Sequence, residues 1–122
     1  IALSFADRAM LYDRINERVD KMVADGLFDE VKGLLDSGLS PDCTAMQAIG
    51  YKEPAAYFAG KITKDEATEL IKLSSRRYAK RQMCIRDRLR RDETVKWYEW
   101  PSSPDFNEAR RFSTEYLHSC GL

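Results

Sequence analysis

The sequence predicts a mainly α-helical fold. Apolar residues recur at intervals of three and four positions along most of the 122 residues, which is the spacing of one face of a helix. Residues that favour helix starts and stops lie at the ends of these periodic stretches. Hydrophobic residues make up 43% of the chain, so the composition allows a core of the size of one small domain.

The first half of the chain predicts two helices and a bent segment. Asp7 is a suitable N-cap for a helix running to about Ala24, and Gly26 fits its end. A second helix closes at Gly38. Their apolar positions are Leu11, Ile15, Val19, Met22 and Val23, then Leu27, Val31, Leu34 and Leu35. Ser40-Pro41-Asp42 predicts a turn. Two short helical pieces around a bend are expected from Ala45 to Ala59, with Gly60 ending the second.

The second half predicts a long helix, a strand and a last helix. Thr63 and Glu66 form a capping box that opens a helix to about Met83. Its predicted buried stripe is Ala67, Leu70, Ile71, Ser74 and Tyr78. Thr94 to Tyr98 alternates like a strand. Ser103 and Pro104 fit the N-cap and first position of a last helix. The apolar side of that helix is Phe106, Ala109, Phe112, Tyr116 and Leu117. We expect residues 101–122 to form this helix, separate from residues 1–100.

Charge is unevenly distributed although the net charge is zero. The stretch from Lys72 to Arg91 contains nine Lys and Arg residues and one acidic residue, Asp87, so its net charge is +8. Cations on successive turns of one helical face can bind backbone phosphates or a pyrophosphate. The pattern alone leaves RNA, DNA and an acidic protein open as partners. It also leaves open a solvated surface whose cations pair with the acidic remainder of the chain.

Two other groups of residues could bind a ligand. Arg14 and Arg18 lie one turn apart beside the apolar stripe of the first helix, where a partly buried arginine needs a carboxylate or a phosphate. In the segment Met46–Glu53, Gln47 could contact a base edge, Gly50 allows a close backbone approach, Tyr51 could stack and Lys52 could bind a phosphate. A bend packed against the core is the alternative interpretation of this segment.

Several classes of site and location are not supported by the sequence. There is no G-x-x-x-x-G-K-[ST], G-x-G-x-x-G or H-E-x-x-H motif. Three scattered cysteines and the single His118 do not make a zinc site, and they favour a reducing, cytoplasmic location. No apolar run approaches the roughly 20 residues that span a membrane. Because the chain begins at Ile1 rather than Met, we expect a preceding segment.

Three motifs, in order and at compatible distances, resemble the tRNA dimethylallyltransferase family. The first is Arg14–Met22 with Gly26-Leu27, Glu30-Val31 and Leu34-Leu35; the second is Met46–Glu53; the third is Ser75–Met83, with Trp97 following. The resemblance extends from about Ile1 to Trp100. It departs from the family pattern at Cys84–Arg88, where the family has a shorter segment that includes a Trp.

The resemblance implies a fold, an activity and a set of partners. The chain would be the helical C-terminal part of a P-loop nucleoside-kinase-like α/β fold, with the parallel sheet, the phosphate loop and the catalytic aspartate mostly before Ile1. Such enzymes transfer a dimethylallyl group from dimethylallyl pyrophosphate to N6 of the adenosine beside the anticodon, position 37. The implied cofactor is Mg²⁺, with its ligands outside these residues. The 122 residues alone are expected to be an inactive, cytoplasmic monomer.

The resemblance also assigns roles to residues of this chain. Arg18 and Arg14 are predicted to bind the pyrophosphate, and no catalytic or metal-binding residue is predicted. Predicted contacts to the tRNA anticodon stem-loop are Gln47, Ala48, Ile49, Gly50, Tyr51, Lys52, Arg76, Arg77, Lys80, Arg81 and Gln82. Two alternatives are a non-catalytic basic RNA-binding module and a prenyltransferase acting on free adenine nucleotides.

Overall fold

The computed structural model describes residues 1–100 and 105–121, and most of them are helical, so the mainly α prediction is confirmed. The elements in chain order are β1 (Ala2–Phe5), α1 (Arg8–Ala24), α2 (Leu27–Asp36), a 3-10 turn (Thr44–Gln47), α3 (Lys52–Phe58), α4 (Lys64–Asp87), a second 3-10 turn (Arg88–Arg91), β2 (Trp97–Trp100) and α5 (Phe106–Ser119). None of the described helices is long and apolar enough to cross a membrane.

The chain divides into two compact units. One comprises Tyr12–Gln82, and the other comprises Ile1–Leu11 together with Met83–Leu122. The predicted division into residues 1–100 and 101–122 stays a prediction. The two units are described separately below.

The core of the Tyr12–Gln82 unit consists of two apolar clusters, both of which include side chains of α2. Val19, Leu27 and Ile71 form one cluster, so α1, α2 and α4 pack together there. Val31, Met46 and Ala55 form the other, which joins α2 to the 3-10 turn and α3. Val31 and Met46 are almost fully buried. The second cluster thus anchors the bent segment on α2.

Helix α4 begins as predicted but ends later than predicted. The Thr63 amide donates to Oε2 of Glu66 at 2.7 Å, and the Glu66 amide donates to Oγ1 of Thr63 at 3.2 Å, which completes the capping box. The helix continues to Asp87 rather than ending near Met83. The predicted buried stripe is only partly correct, because Leu70 is 41% exposed and Tyr78 is 51% exposed. The cluster with Val19 and Leu27 meets α4 at Ile71 and does not cover these two side chains.

The second unit contains a two-stranded parallel sheet, which pairs Ala2 with Trp97 and Phe5 with Trp100. Strand β1 was not predicted. The predicted strand at Thr94–Tyr98 lies instead at Trp97–Trp100. This shift has a local cause, because Oδ1 of Asp92 accepts hydrogen bonds from both the amide and the hydroxyl of Thr94 and holds Thr94 in a turn.

Helix α5 begins two residues later than the predicted N-cap and first position would place it. Asp105 is the N-cap, and its Oδ1 accepts from the amides of Asn107 and Glu108 at 2.9 and 3.0 Å. The predicted cap, Ser103-Pro104, lies outside the described residues. Of the predicted apolar side, Ala109 is buried and Phe112 and Tyr116 are half-buried, whereas Phe106 and Leu117 are exposed.

Candidate nucleic-acid interface

The turn before α3 is fixed by backbone and side-chain hydrogen bonds. Gly50 has a φ of 96°, a conformation that favours glycine. Its amide donates to Oε2 of Glu53 at 2.8 Å. The amides of Tyr51 and Lys52 donate to the carbonyl of Ala48 at 3.1 and 3.2 Å. These hydrogen bonds define the backbone conformation from Ala48 to Lys52. They therefore set the directions in which the side chains of this segment leave the backbone.

This turn and α4 line one open cleft. The cleft has a volume of about 520 Å³. Its lining residues are Ile49 and Lys52 from the turn, and Ser74, Arg77, Lys80 and Arg81 from α4. Five of these six belong to the two segments predicted to contact tRNA. The fold thus places two segments, separate in the sequence, on one concave surface.

The cleft is cationic, and no side chain of the described residues neutralises its charges. Lys52, Arg77, Lys80 and Arg81 are all exposed. Across residues 1–100 and 105–121 none of the four forms an ion pair or a side-chain hydrogen bond. Among the residues that the structure describes, no acidic side chain lines the cleft. Four cations without counter-charges in one concavity attract an anionic ligand.

Other cations of the basic stretch are already paired. Lys72 contacts Asp20 at 2.7 Å and Glu69 at 3.1 Å. Its hydrogen bonds to Asp20 and then to Glu69 raise the pKa of Lys72. Arg90 contacts Glu99 at 2.6 Å and Asp87 at 3.4 Å. The net charge of +8 therefore overstates the charge that this stretch offers to a ligand.

Two residues predicted to contact tRNA on α4 do not line the cleft. Arg76 is half-buried and donates a hydrogen bond to Oδ1 of Asn16 on α1. Gln82 is also half-buried and lies outside the lining. The structure thus places Arg77, Lys80 and Arg81 in the cleft and gives Arg76 a contact with α1.

Several residues of the turn segment that are predicted to contact tRNA also do not line the cleft. Gln47 donates from Nε2 to the carbonyl of Pro41 at 3.0 Å, and it lines a separate groove of about 740 Å³ between α2 and α3. The Tyr51 ring is half-buried against the Val31 cluster. The Tyr51 hydroxyl donates to Oε1 of Glu30 at 2.6 Å, and this bond raises the pKa of Tyr51. Ala48 is exposed and lies outside both linings.

The two arginines predicted to bind pyrophosphate are exposed on α1. Arg14 and Arg18 were expected to be partly buried beside the apolar stripe, and this expectation is wrong because both side chains are exposed. The stripe itself is shallow: only Val19 of this helix is buried, and its neighbours on the stripe are half-buried. Asp20, a carboxylate on the same helix, contacts Lys72. Arg18 makes no ion pair within the part of the chain that the structure describes.

Ser74 is the lining residue that sequence reasoning assigned wrongly. It was expected on the buried stripe of α4, but it is half-buried and lines the cleft. Its spacing of three and seven positions before Arg77 and Arg81 places all three on one helical face. That spacing could have indicated the correct surface.

The described residues offer no carboxylate set for Mg²⁺. Within residues 1–100 and 105–121, no group of three or more His, Cys, Asp and Glu side chains comes close enough together to hold a metal ion.

Known proteins support the family resemblance. A family model described as IPP transferase matches residues 1–86. A tRNA dimethylallyltransferase of Geobacter sulfurreducens is 52% identical over 99 residues, which is 81% of this chain and 31% of the relative. One from Thermoanaerobacter sp. (strain X514) is 44% identical over 117 residues, which is 96% of this chain and 36% of the relative.

A solved structure agrees with the fold. The full-length tRNA isopentenylpyrophosphate transferase from Bacillus halodurans superimposes with a TM-score of 0.81 at 42% identity, covering 96% of this chain and 37% of that one. The chain thus spans about a third of the length of the proteins it matches. On this match of sequence and fold, the chain belongs to the IPP transferase family, with the tRNA dimethylallyltransferases as its relatives.

Proposed function

We propose that this chain supplies the tRNA-contacting surface of a tRNA dimethylallyltransferase. The complete protein would transfer a dimethylallyl group from its pyrophosphate to N6 of adenosine 37, beside the anticodon. The observation that carries the proposal is the cationic cleft, in which Lys52 of the turn lies with Arg77, Lys80 and Arg81 of α4.

The composition of the cleft suits a single-stranded part of the tRNA. Arginine and lysine bind backbone phosphates, and arginine does so with two parallel hydrogen bonds. Ile49, which also lines the cleft, adds an apolar surface that is 37% exposed and against which an unstacked base can pack. A target base must leave the anticodon stack to reach an enzyme site, and a loop held by its phosphates next to that base makes this easier.

The transfer itself needs groups besides the cations of the cleft. An exocyclic adenine amine is a weak nucleophile, so a carboxylate base must accept its proton as the carbon–nitrogen bond forms. The leaving pyrophosphate must have its growing charge neutralised. We assign Arg18, with Arg14, to that second task, because both are exposed cations one turn apart on α1. We propose that the base, and Mg²⁺ with its ligands, lie outside these 122 residues in the complete protein.

A prenylation assay tests the proposed activity. A full-length protein carrying these residues is incubated with dimethylallyl pyrophosphate and either undermodified tRNA or AMP. We expect the dimethylallyl group to be transferred to tRNA and not to AMP. Transfer to AMP alone would indicate the nucleotide-directed prenyltransferase, and binding of tRNA without transfer would indicate a non-catalytic RNA-binding module; either result would overturn the proposal.

Kinetic measurements on the same protein distinguish the roles of the arginines on α1 and the cations of the cleft. Arg18→Ala is expected to raise the KM for dimethylallyl pyrophosphate more than the KM for tRNA. Arg77→Ala is expected to do the reverse, because it lines the cleft. If Arg18→Ala affected only the KM for tRNA, the pyrophosphate assignment would be wrong.

A further inference from the structure

Ser74 lines the cleft, and its hydroxyl has no hydrogen-bond partner among the described residues. Some helical hydroxyls bond back to the preceding turn: Thr68 donates to the carbonyl of Lys64 at 3.0 Å, and Ser113 donates to that of Ala109 at 2.8 Å. Ser74 and its neighbour Ser75 do not do so within the described residues, and of these two only Ser74 lines the cleft. The Ser74 hydroxyl makes no hydrogen bond within the described residues. A half-buried hydroxyl without a protein partner can bond to a ligand.

The position of Ser74 suits the sugar of a bound nucleotide. Ser74 lies one helical turn before Arg77, so the two side chains are about 5–6 Å apart at their β-carbons. A nucleotide whose phosphate is held by Arg77 brings its ribose within about one helical turn of that phosphate. Ile49 provides the apolar contact for its base. The hydroxyl therefore lies within reach of the part of the nucleotide that distinguishes RNA from DNA.

We propose that Ser74 hydrogen-bonds the 2′-hydroxyl of a ribonucleotide in the cleft and makes the cleft selective for ribose over deoxyribose. The inference rests on the proposed function, because it requires a nucleic-acid strand in this cleft. A 2′-hydroxyl can both donate and accept, and so can the serine hydroxyl. The cations bind phosphates of either nucleic acid equally, so the sugar preference depends on Ser74.

A binding experiment isolates this hydrogen bond. The 122-residue chain is titrated, by fluorescence anisotropy at one fixed salt concentration, with an anticodon stem-loop RNA whose loop sugars are ribose. The same stem-loop with 2′-deoxy loop sugars keeps every phosphate and base. A version with 2′-fluoro sugars separates the loss of the hydroxyl from a change in sugar pucker. The unsubstituted chain is expected to bind the ribose loop about three- to tenfold more tightly than either analogue, the effect of one hydrogen bond.

Ser74→Ala should remove this preference, lowering affinity for the ribose loop to that for the analogues. Ser75→Ala is the matched control, since Ser75 is also half-buried but does not line the cleft, and it should keep the preference. Arg77→Ala should weaken binding of all three loops equally. Circular dichroism checks that each variant is as helical as the parent chain.

The outcomes separate this inference from the proposed function. If Arg77→Ala weakens binding but the parent chain binds all three loops equally, Ser74 does not read the sugar and only this inference is overturned. A preference that persists in Ser74→Ala would overturn it in the same way. If Arg77→Ala has no effect on any loop, or no loop binds, the cleft is not the nucleic-acid site and both proposals are wrong.

Discussion

The amide of Gly50 donates a hydrogen bond to Oε2 of Glu53 across 2.8 Å, inside the fold. Glu53 is 5% exposed, and its other oxygen, Oε1, has no hydrogen-bond partner among the described residues. A buried polar group needs a hydrogen-bond partner, and for Oε2 of Glu53 the Gly50 amide is that partner. The turn in question places Ile49 and Lys52 in the cleft.

Removing this acceptor should loosen the turn. Glu53→Ala leaves the buried Gly50 amide without a partner, which is expected to lower the free energy of unfolding by about 1–3 kcal/mol. Glu53→Gln keeps an acceptor oxygen and should cost less. Urea unfolding followed by circular dichroism measures both values. Equal losses for the two variants would show that the hydrogen bond is not the important feature of Glu53.

Alanine at Gly50 should be destabilising because of the backbone alone. The φ of 96° is unfavourable for a residue with a β-carbon, yet a β-carbon added there meets no atom of the described residues within 4 Å. We expect a loss of about 1–2 kcal/mol in the free energy of unfolding. Gly33, inside α2, is the control, because its added β-carbon also meets nothing within 4 Å and its φ is not positive. Gly33→Ala should stabilise the protein by about 0.5–1 kcal/mol. Opposite signs are required; two losses of equal size would contradict the backbone explanation.

Adjacent residues on α4 should respond differently to truncation. Ile71 is 1% exposed and packs with Val19 and Leu27, whereas Leu70 is 41% exposed. Ile71→Ala is therefore expected to cost about 2–5 kcal/mol, and Leu70→Ala to change stability by no more than about 0.5 kcal/mol. Thermal or urea unfolding of the two variants compares them directly. A large loss at Leu70 would mean that its side chain is covered in solution.

The capping box at the start of α4 should make stability depend on pH. Hydrogen bonds from the backbone and then the side chain of Thr63 lower the pKa of Glu66 from its ordinary value of 4.5. The folded state therefore holds this carboxylate in its charged form more strongly than the unfolded state does. Its stabilising contribution is complete above pH 4.5 and is lost as the pH falls through the lowered pKa.

Glu66→Gln should flatten this part of the pH dependence. Urea unfolding of the variant and the parent chain between neutral and acidic pH measures the difference. Glu115→Gln is the control, because Glu115 is exposed and forms no ion pair or side-chain hydrogen bond within the described residues. A parent chain and a Glu66→Gln variant with the same dependence on pH would contradict the role of this carboxylate.

Local features of the fold could be predicted from the sequence, and long-range pairings could not. The capping box at Thr63 and the turn at Gly50 depend on residues within three positions of each other, and the structure confirms both. Strand β1 pairs with a segment 95 residues later, so four residues with little alternation gave no signal of their own.

The same distinction applies to the candidate site. The basic face of α4 could be predicted from helical spacing, because i, i+3 and i+4 neighbours share a face. The sequence could not show which of its cations find partners on other elements. Arg76 bonds to Asn16, 60 positions away, and Lys72 pairs with Asp20. Only the folded arrangement reveals that, among the residues the structure describes, Arg77, Lys80 and Arg81 keep their charges free.

The most direct test of the central claim compares two pairs of adjacent cations. Lys80→Ala with Arg81→Ala removes two charges from the cleft, and Arg110→Ala with Arg111→Ala removes two exposed charges from α5. Binding of an anticodon stem-loop RNA to the 122-residue chain is measured by fluorescence anisotropy over a series of salt concentrations. We predict that the first variant binds about tenfold or more weakly, with a salt dependence whose logarithmic slope is smaller by about 0.7 for each phosphate that it no longer neutralises. The second variant should bind as the parent chain does. Equal weakening by both pairs would show a general effect of charge and would contradict an RNA interface in this cleft.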